Sequence, residues 1–577
     1  MVRGIKYVFV SGGVISGLGK GITAASTGLL LNSKGVRTTM VKIDMYLNVD
    51  AGTIRPAEHG EVFVTDDGIE TDQDIGHYER FLNQTLRREN YMTTGMVYKA
   101  VIDRERAFGY NGEDVEAIPH VTDEIIARII KAGEVNNAQV VIVELGGTVG
   151  EYQNGLFFEA GRIMKLRQPK DVVHIHVSYL PVIKSIGELK SKPTQQSVHV
   201  LNSMGIQQDF LVARSEKEID KRRRERLALF CNMRDEDIIT NPDLTNIYEV
   251  PIWLEKQDFS NKLLRRAGLK PRKKDLKEWR EFAGKLATGG KELRIAMVGK
   301  YFQTGDYMLS DAYICVIEAL KHAGVIMGVR PVVEWVISDK VDRKAVDKQL
   351  NGFDGIIVPQ GWGSRGVEGK IAAVEFARRK KIPYLGLCFG MQMAVIEYSR
   401  NILGLDEANS TEVNPKTKYP VIHIMPDQKK YLEAHHYGGT IRLGSWPCSV
   451  EPGSILEKAY KSYGKEPNKI FNDQFEILNQ FKNLNLNENL KLKISNLIYE
   501  RHRHRYEVNN EYREKLEKAG LVVSGVSPDG KLVEAVELPR KVHPFFVGTQ
   551  FHPEYKSRPL SAHPLFLSFI KAAIDRR

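Results

Sequence analysis

A cysteine at the end of an apolar run is the sharpest chemical signal in this chain. In Pro383-Tyr-Leu-Gly-Leu-Cys388-Phe-Gly-Met-Gln-Met-Ala, a strand-like pattern runs into Cys388 and a helix pattern starts directly after it. Such a turn holds the sulfur at the positive end of a helix, which favours thiolate. An ordinary thiol, with a pKa near ~8.5, is mostly protonated at neutral pH, so a neighbouring imidazole is needed to complete the activation. Thr549-Gln-Phe-His552-Pro-Glu554 supplies one. Two residues apart at a strand end, His552 and Glu554 can project to the same side. The glutamate would orient the ring while the ring moves the proton. Taken singly, a buried cysteine is ordinary core and a lone His-Pro-Glu says little. Together, Cys388, His552 and Glu554 read as nucleophile, base and orienting acid.

A second chemistry-bearing stretch opens the chain. Val10-Ser-Gly-Gly-Val-Ile-Ser-Gly-Leu-Gly-Lys-Gly-Ile22 follows a strand and precedes a helix-compatible run. Glycines let backbone N–H groups crowd a phosphate, and the following helix offers its positive end. Lys20 adds a point charge toward the terminal phosphates. The usual P-loop has four residues between its glycines and Ser or Thr after the lysine. Here five residues separate Gly13 from Gly19, and Gly21 follows Lys20. A magnesium ion must therefore find carboxylates elsewhere. Asp66-Asp67-Gly-Ile-Glu70-Thr-Asp72-Gln-Asp74 and Glu144, where the run Val-Val-Ile-Val-Glu-Leu meets Gly-Gly, are the candidates. Asp66, Asp67 and Glu70 read as solvated turn residues.

These groups need strands to hold them. Ile5–Val10, Val36–Ile43, Gln139–Leu145, Asp171–Ser178 and Asp209–Ala213 are short, β-branched and apolar, as parallel strands covered on both faces should be. Helical stretches such as Ile125–Lys131 lie between them, so the first half is expected to be a doubly wound α/β layer. A charged helical linker is expected over 276–292. A second α/β series then runs through Leu293–Val298, Gly355–Pro359, Pro383–Leu387 and Phe545–Phe551. The expected domains are thus 1–275 and 293–577. An Asn- and Lys-rich insertion is expected at 458–497.

With 577 residues, 42% hydrophobic and 27% charged, the chain has the composition of a globular enzyme with two large domains or more. No apolar run is long enough to span a bilayer, and the N-terminal stretch passes straight into a strand and glycine loop rather than reading as a cleaved signal. Cys231, Cys315, Cys388 and Cys448 are scattered without a disulfide or zinc spacing, which fits the cytoplasm. The net charge of +11 reads as a solvated helix face or linker, and polyphosphate substrates would also explain some of it; no recognised nucleic-acid module accompanies it.

Beyond these readings, the glycine loop, KIDMYLNVDAGT (42–53), EHGEVFV (58–64), GHYERF (76–81), VELGGTVG (143–150) and KSKPTQ (190–195) resemble the synthetase domain of the CTP synthase family. GLCFGMQ (386–392), ANSTE (408–412), GGTIRLG (438–444), ERHRHRYEVN (500–509) and QFHPE (550–554) resemble its class I glutamine amidotransferase domain. The resemblance implies a P-loop-type parallel-sheet domain followed by an amidotransferase α/β domain. It implies that Cys388 attacks the amide of glutamine, with His552 and Glu554 in support. Gly361, Phe389, Gly390, Met391, Gln392, Glu412 and Arg505 would then hold glutamine. ATP would lie against Gly17, Leu18, Gly19, Lys20, Gly21, Ile22, Lys42 and Asp74, with Asp74 and Glu144 on Mg²⁺. UTP, or CTP as feedback inhibitor, would lie against Ser16, Glu151, Tyr152, Gln153, Lys190, Ser191, Lys192, Pro193, Thr194, Gln195 and Arg226. An enclosed ammonia passage lined by His59 and Val62, GTP as activator, and a homotetramer that can stack into filaments are further implications.

Some residues depart from the family's pattern. The glutamine-site loop reads Pro359-Gln360-Gly361-Trp362-Gly363, with Gln360 where a glycine is usual. Glu151-Tyr152-Gln153 replaces Asp-Ile-Glu, Arg226 replaces a lysine, and Pro242 stands for a lysine in the adenine-edge stretch Pro242-Asp243-Leu244. Altered CTP feedback is expected from the second and third. A P-loop amidoligase acting on corrinoid precursors would share ATP, Mg²⁺ and Cys388, but KSKPTQ and the basic residues around it favour a triphosphate. A catalytically retired homologue is opposed by the intact Cys388, His552, Glu554, Lys20 and Lys42.

Overall fold

The computed structural model describes residues 4–464 and 496–577, apart from positions 184, 186, 273–274, 302, 305–306, 426–427, 429–430 and 432–437. Two compact units emerge: Met1–Ala51 with Asp74–Ala287, and Gly52–Gln73 with Thr288–Arg577. The stretch Gly52–Gln73, which in chain order lies inside the first half, has its contacts with the second unit.

In the first unit, strands β1 (Lys6–Gly13), β2 (Thr38–Asp44), β3 (Tyr91–Thr93), β4 (Val140–Leu145), β5 (Val172–Leu180), β6 (Phe210–Ser215) and β7 (Ile238–Pro242) form one sheet. Its order is β7-β6-β5-β1-β4-β2-β3, and every pairing is parallel. Alternate residues feed opposite faces. Tyr7, Phe9, Val41, Ile43, Val141 and Val143 join one core with Ile125, Ile129 and Phe158, while Val8, Val10, Met40 and Ile142 are buried on the other side. Helix α1 (Lys20–Ser33) follows β1, α2 spans Gln73–Leu82 and α3 spans Lys192–Ser203. The segment expected as linker is helix α4 (Lys277–Thr288). Its Trp279 indole N–H donates to Tyr248 O at 2.9 Å and its ring packs against Phe81 and Tyr248, so most of the helix belongs to the first unit's core.

The second unit carries a nine-stranded sheet. Strands β8 (Lys291–Gly299), β9 (Val329–Ile337), β10 (Gly355–Val358), β11 (Tyr384–Leu387), β12 (Arg442–Val450), β13 (Leu497–His504), β14 (Val522–Val526), β15 (Val533–Glu537) and β16 (Phe546–Thr549) run in the order β9-β8-β10-β11-β16-β15-β14-β12-β13. The first five in that order pair parallel and the rest antiparallel. Again period two builds two cores. Ala296, Val298, Ile356 and Val358 pack with α6 (Val367–Lys380) and α7 (Phe389–Asn401). Ile295, Met297 and Ile357 pack with α5 (Ile314–Met327) and the C-terminal helix Pro564–Asp575. Both units are therefore α/β layers as the strand patterns predict.

The expected insertion begins inside a helix, Ile455–Tyr463, and its last residue, Leu497, starts β13; positions 465–495 lie outside the described residues. All four cysteines are buried and free. Among the described residues no helix is long and apolar enough to cross a membrane.

Candidate active sites

Cys388 sits between β11 and α7 with φ 50° and ψ −98°. That left-handed φ is costly for a residue with a Cβ and is tolerated where the surroundings over-determine it. Here they do. The Cys388 N–H donates to Thr549 O at 2.6 Å, which ties the turn to the neighbouring strand β16. Gly390 lies so close to β10 that a Cβ there would stand 2.0 Å from Val358 O. The sulfur faces Gln550 Nε2 at 3.4 Å and Arg503 O at 3.8 Å.

His552 and Glu554 follow β16, paired to the strand that carries the cysteine. His552 Nδ1 and Glu554 Oε1 are 2.7 Å apart, both residues are buried, and Tyr555 stacks on the imidazole at 4.8 Å. His552 Nε2 has no hydrogen-bond partner among the described residues. Burial works against a charged imidazole, but the Glu554 carboxylate and the Cys388 sulfur outweigh it and lift the His552 pKa to about 10. The three residues singled out in the sequence are thus brought to one place.

The loop after β10 lies beside them, because Val358 pairs with Gly386 of the strand that leads into Cys388. It is held from several directions. Lys300 Nζ donates to the carbonyls of Trp362, Gly363 and Arg365, and Lys370 Nζ to Pro359 O at 3.0 Å. Trp362 N donates to the Tyr301 hydroxyl at 2.8 Å and Gly363 N to Glu412 Oε1 at 2.6 Å. Among the described residues, the N–H groups of Gln360 and Gly361 are not committed to a protein acceptor. Burial lowers the Lys300 pKa to about 8, pushes that of Lys370 well down, and raises that of Glu412. Of the other glutamine candidates, Phe389 and Met391 are core, with both lysines over the Phe389 ring. Gln392 Nε2 donates to Tyr506 O at 3.0 Å, and Arg505 donates to Thr440 Oγ1 at 3.0 Å.

One expectation fails in this unit. Asp66 and Glu70 are not solvated turn acids: Asp66 is ion-paired with the buried Arg501, and Glu70 with Arg503 at 2.8 Å. Burial opposes ionisation of Asp66, yet Arg501 holds its carboxyl well below the usual range. The same stretch carries His59, paired with Asp72 at 2.9 Å, and Val62, whose carbonyl accepts from the Tyr555 hydroxyl at 3.0 Å. Acidic turns show in the sequence; the arginines they meet, over four hundred residues downstream, do not.

In the first unit, charges converge where β1, β2 and β4 end. Lys42 Nζ bonds Asp74 Oδ2, lies 3.1 Å from Glu144 Oε1 and 3.7 Å from Asp44 Oδ1. The Tyr78 hydroxyl takes the other oxygen of Glu144. Lys20 opens α1 and is buried. Burial lowers the Lys20 pKa and raises that of Glu144, while Lys42 and His77 draw Asp74 down to about 2 against its own burial. The glycine after the lysine has a clear reason: a Cβ on Gly21 would lie 2.4 Å from Asp74 Oδ1. The Asp74 carboxylate occupies the space where a Ser or Thr side chain would stand. The buried Glu144 and the half-buried Asp74, offering hard carboxylate oxygens, fit Mg²⁺.

Two features here escape sequence reading. His176 bridges Ser11 Oγ (2.9 Å) and Ser197 Oγ (2.7 Å), tying β1 to α3; burial keeps it neutral, with a pKa near 3. Arg214 donates to Leu18 O, Asn241 O, Pro242 O and Asp243 Oδ1, fastening the glycine loop to β7. The residues expected at UTP are spread. Thr194 and Gln195 are buried on α3, bonded to Tyr179 O and Ser191 Oγ. Glu151 Oε1 accepts from Thr148 N and Oγ1, both at 2.6 Å. Ser16, Tyr152 and Gln153 are exposed, Lys190 pairs with Glu188, and Lys192 and Arg226 share the face of Phe230.

Residues 6–269 match the family described as CTP synthase N-terminus, and residues 308–572 match glutamine amidotransferase class-I. The CTP synthase of Caldanaerobacter subterraneus subsp. tengcongensis is 49% identical over 571 residues, covering 99% of this chain and 98% of that protein. That of Carboxydothermus hydrogenoformans is 48% identical, covering 99% and 98%, and that of Thermococcus gammatolerans is 46% identical, covering 99% of both. A solved Trypanosoma brucei glutaminase domain with bound acivicin is 38% identical, covering 49% of this chain and 94% of that one at a TM-score of 0.40. The chain belongs to the CTP synthase family.

Proposed function

We propose that this chain makes CTP from UTP, consuming ATP and taking nitrogen from glutamine. The observation that carries the reading is the elbow of Cys388 with His552 and Glu554 behind it, in a chain whose other unit gathers Lys20, Lys42, Asp74 and Glu144 at a glycine loop.

At the elbow, Cys388 Sγ adds to the side-chain amide carbonyl of glutamine. His552, its Nδ1 held by Glu554, manages the proton at Nε2, first from the thiol and then to the departing nitrogen. Ammonia leaves, a glutamyl thioester remains, and water releases glutamate. The uncommitted N–H groups of Gln360 and Gly361 are the donors for the oxyanion. Glu412 and Arg505 hold the amino acid's own charged groups.

In the first unit, the uracil 4-oxygen is a poor leaving group. It attacks the γ-phosphorus of ATP, ADP departs, and ammonia then displaces inorganic phosphate to give CTP. Lys20 and Lys42 neutralise the charge on the moving phosphoryl group, so catalysis is chiefly positioning and electrostatics. Mg²⁺ held by Asp74 and Glu144 would supply further neutralisation of the phosphate oxygens. UTP and the feedback inhibitor CTP draw on Ser16, 151–153, Lys190–Gln195 and Arg226. GTP activation, a homotetramer, filaments and a cytoplasmic setting complete the reading.

The test is direct. The protein is incubated with UTP, ATP, Mg²⁺ and glutamine, and CTP, ADP, phosphate and glutamate are measured. Equal amounts of the four are expected; glutamate without CTP, or no dependence on UTP, sinks the reading.

A further inference from the structure

The loop Pro359–Arg365 is fastened largely through its backbone, with the Arg365 side chain on Lys300 O and Asp339 at its far end and a second side-chain contact at its start. Gln360 reaches out with its side chain: Nε2 donates to Glu61 Oε1 at 2.6 Å. Glu61 is well placed to be an anchor. It is 3% exposed, its Oε2 accepts from Cys315 N in the first turn of α5 at 2.7 Å, and its own N–H donates to Asp311 O at 2.9 Å. A hydrogen bond to a buried carboxylate is among the stronger kinds, and removing its donor leaves a desolvated charge short of a partner. The geometry also fixes which way the amide points. Gln360 Oε1 is buried without a partner among the described residues, and a flipped amide would set that oxygen against the carboxylate.

The backbone N–H groups of Gln360 and Gly361 are uncommitted in the loop that lies beside the Cys388 strand. We propose that Gln360 is a positioning residue for glutamine hydrolysis: its side chain latches the Pro359–Arg365 loop onto Glu61 and so keeps those two N–H groups beside the nucleophile. The proposal rests on the glutamine-hydrolysing reading above. It makes the elbow depend on the stretch Gly52–Gln73, which touches the site again through Val62 O on the Tyr555 hydroxyl, behind His552, and through Glu70 on Arg503, whose carbonyl faces the sulfur. The next residue along the chain is Asp74, bonded to Lys42.

Donor and acceptor can be exchanged, which provides the test. Q360E sets two carboxylates against each other; adding E61Q restores one amide–carboxylate bond in the opposite sense, with the glutamine oxygen still able to accept from Cys315 N. In the full chain, kcat and KM for glutamine hydrolysis and the ratio of glutamine-driven to ammonia-driven CTP formation are measured for wild type, Q360E and Q360E/E61Q. Q360E should lower kcat and the ratio about tenfold while KM moves less than about threefold, as misplaced transition-state donors require. The double variant should return to within about threefold of wild type, a recovery that general loss of structure would not give. An indifferent Q360E, or a double variant no better than Q360E, overturns the latch while leaving glutamine hydrolysis standing. A wild-type protein that turns over no glutamine overturns the activity reading and the latch with it.

Discussion

The two units solve a similar placement problem with different degrees of completeness. In each, a reactive side chain stands where a parallel strand gives way to a helix: Lys20 after β1 and Cys388 after β11. At the elbow, the cysteine, imidazole and carboxylate are all buried, and His552 is already held on Glu554. At the glycine loop, the charges are gathered but lean on one another: Lys42 bonds Asp74 and Glu144, and several residues expected at the second nucleotide are exposed. The difference follows from the chemistry. A protein nucleophile must be aimed and activated by the fold itself, whereas phosphoryl transfer brings its own charges and asks the protein for counter-charges that can change partner.

That contrast can be broken first at Cys388. C388A should cut glutamine-driven CTP formation by more than about 10⁴-fold while free ammonia still supports the reaction, since the nucleophile has no deputy; unchanged glutamine use would show that the sulfur is not the nucleophile. Next in size, K42M should slow CTP formation about 10³-fold with glutamine and ammonia alike, because it removes a counter-charge used for either nitrogen source. A loss confined to glutamine would contradict the division of labour between the units.

Glu554→Gln sharpens the elbow's side of the comparison. It should lower glutamine-driven kcat about 10²-fold and move the alkaline limb of its pH profile to lower pH. The sign follows from linkage. The His552 pKa stands at about 10 against an ordinary 6.5, so the stability due to its charged form is full below that ordinary value and is lost as pH rises toward 10. Removing the carboxylate removes a principal cause of the elevation; an alkaline limb that stays put would assign it to another group. The smallest effect is expected at Arg214, where R214M frees Leu18 O and should raise the KM for ATP by about fivefold with little change in kcat, as loss of a loop fastening rather than of a reacting group. A larger fall in kcat than in ATP affinity would make Arg214 part of the chemistry.

Much of this was legible before any coordinates. Runs such as Val140–Leu145 and Tyr384–Leu387 announce buried parallel strands because both faces are covered and no polar alternation survives. Cys388 could be read as an elbow because strand, cysteine and helix are contiguous. The same locality explains the failures. Asp66 and Glu70 look like turn acids until Arg501 and Arg503 reach them, and nothing near His176 reveals that Ser11 and Ser197 close on either side of it. The assignment of Gly52–Gln73 to the second unit is a sum of such long-range pairings. Gly21 sits between these cases: the sequence shows the missing hydroxyl, and only packing shows the reason.

The crowding at that glycine reaches beyond this molecule's chemistry into how its sequence can drift. With Asp74 Oδ1 standing 2.4 Å from the position a Cβ would take, a hydroxyl-bearing side chain at 21 would have to push that carboxylate off its Lys42 bond, and shortening the aspartate first forfeits an oxygen before its replacement arrives. The two positions, more than fifty residues apart, form one heritable unit, and lineages should change both together or neither.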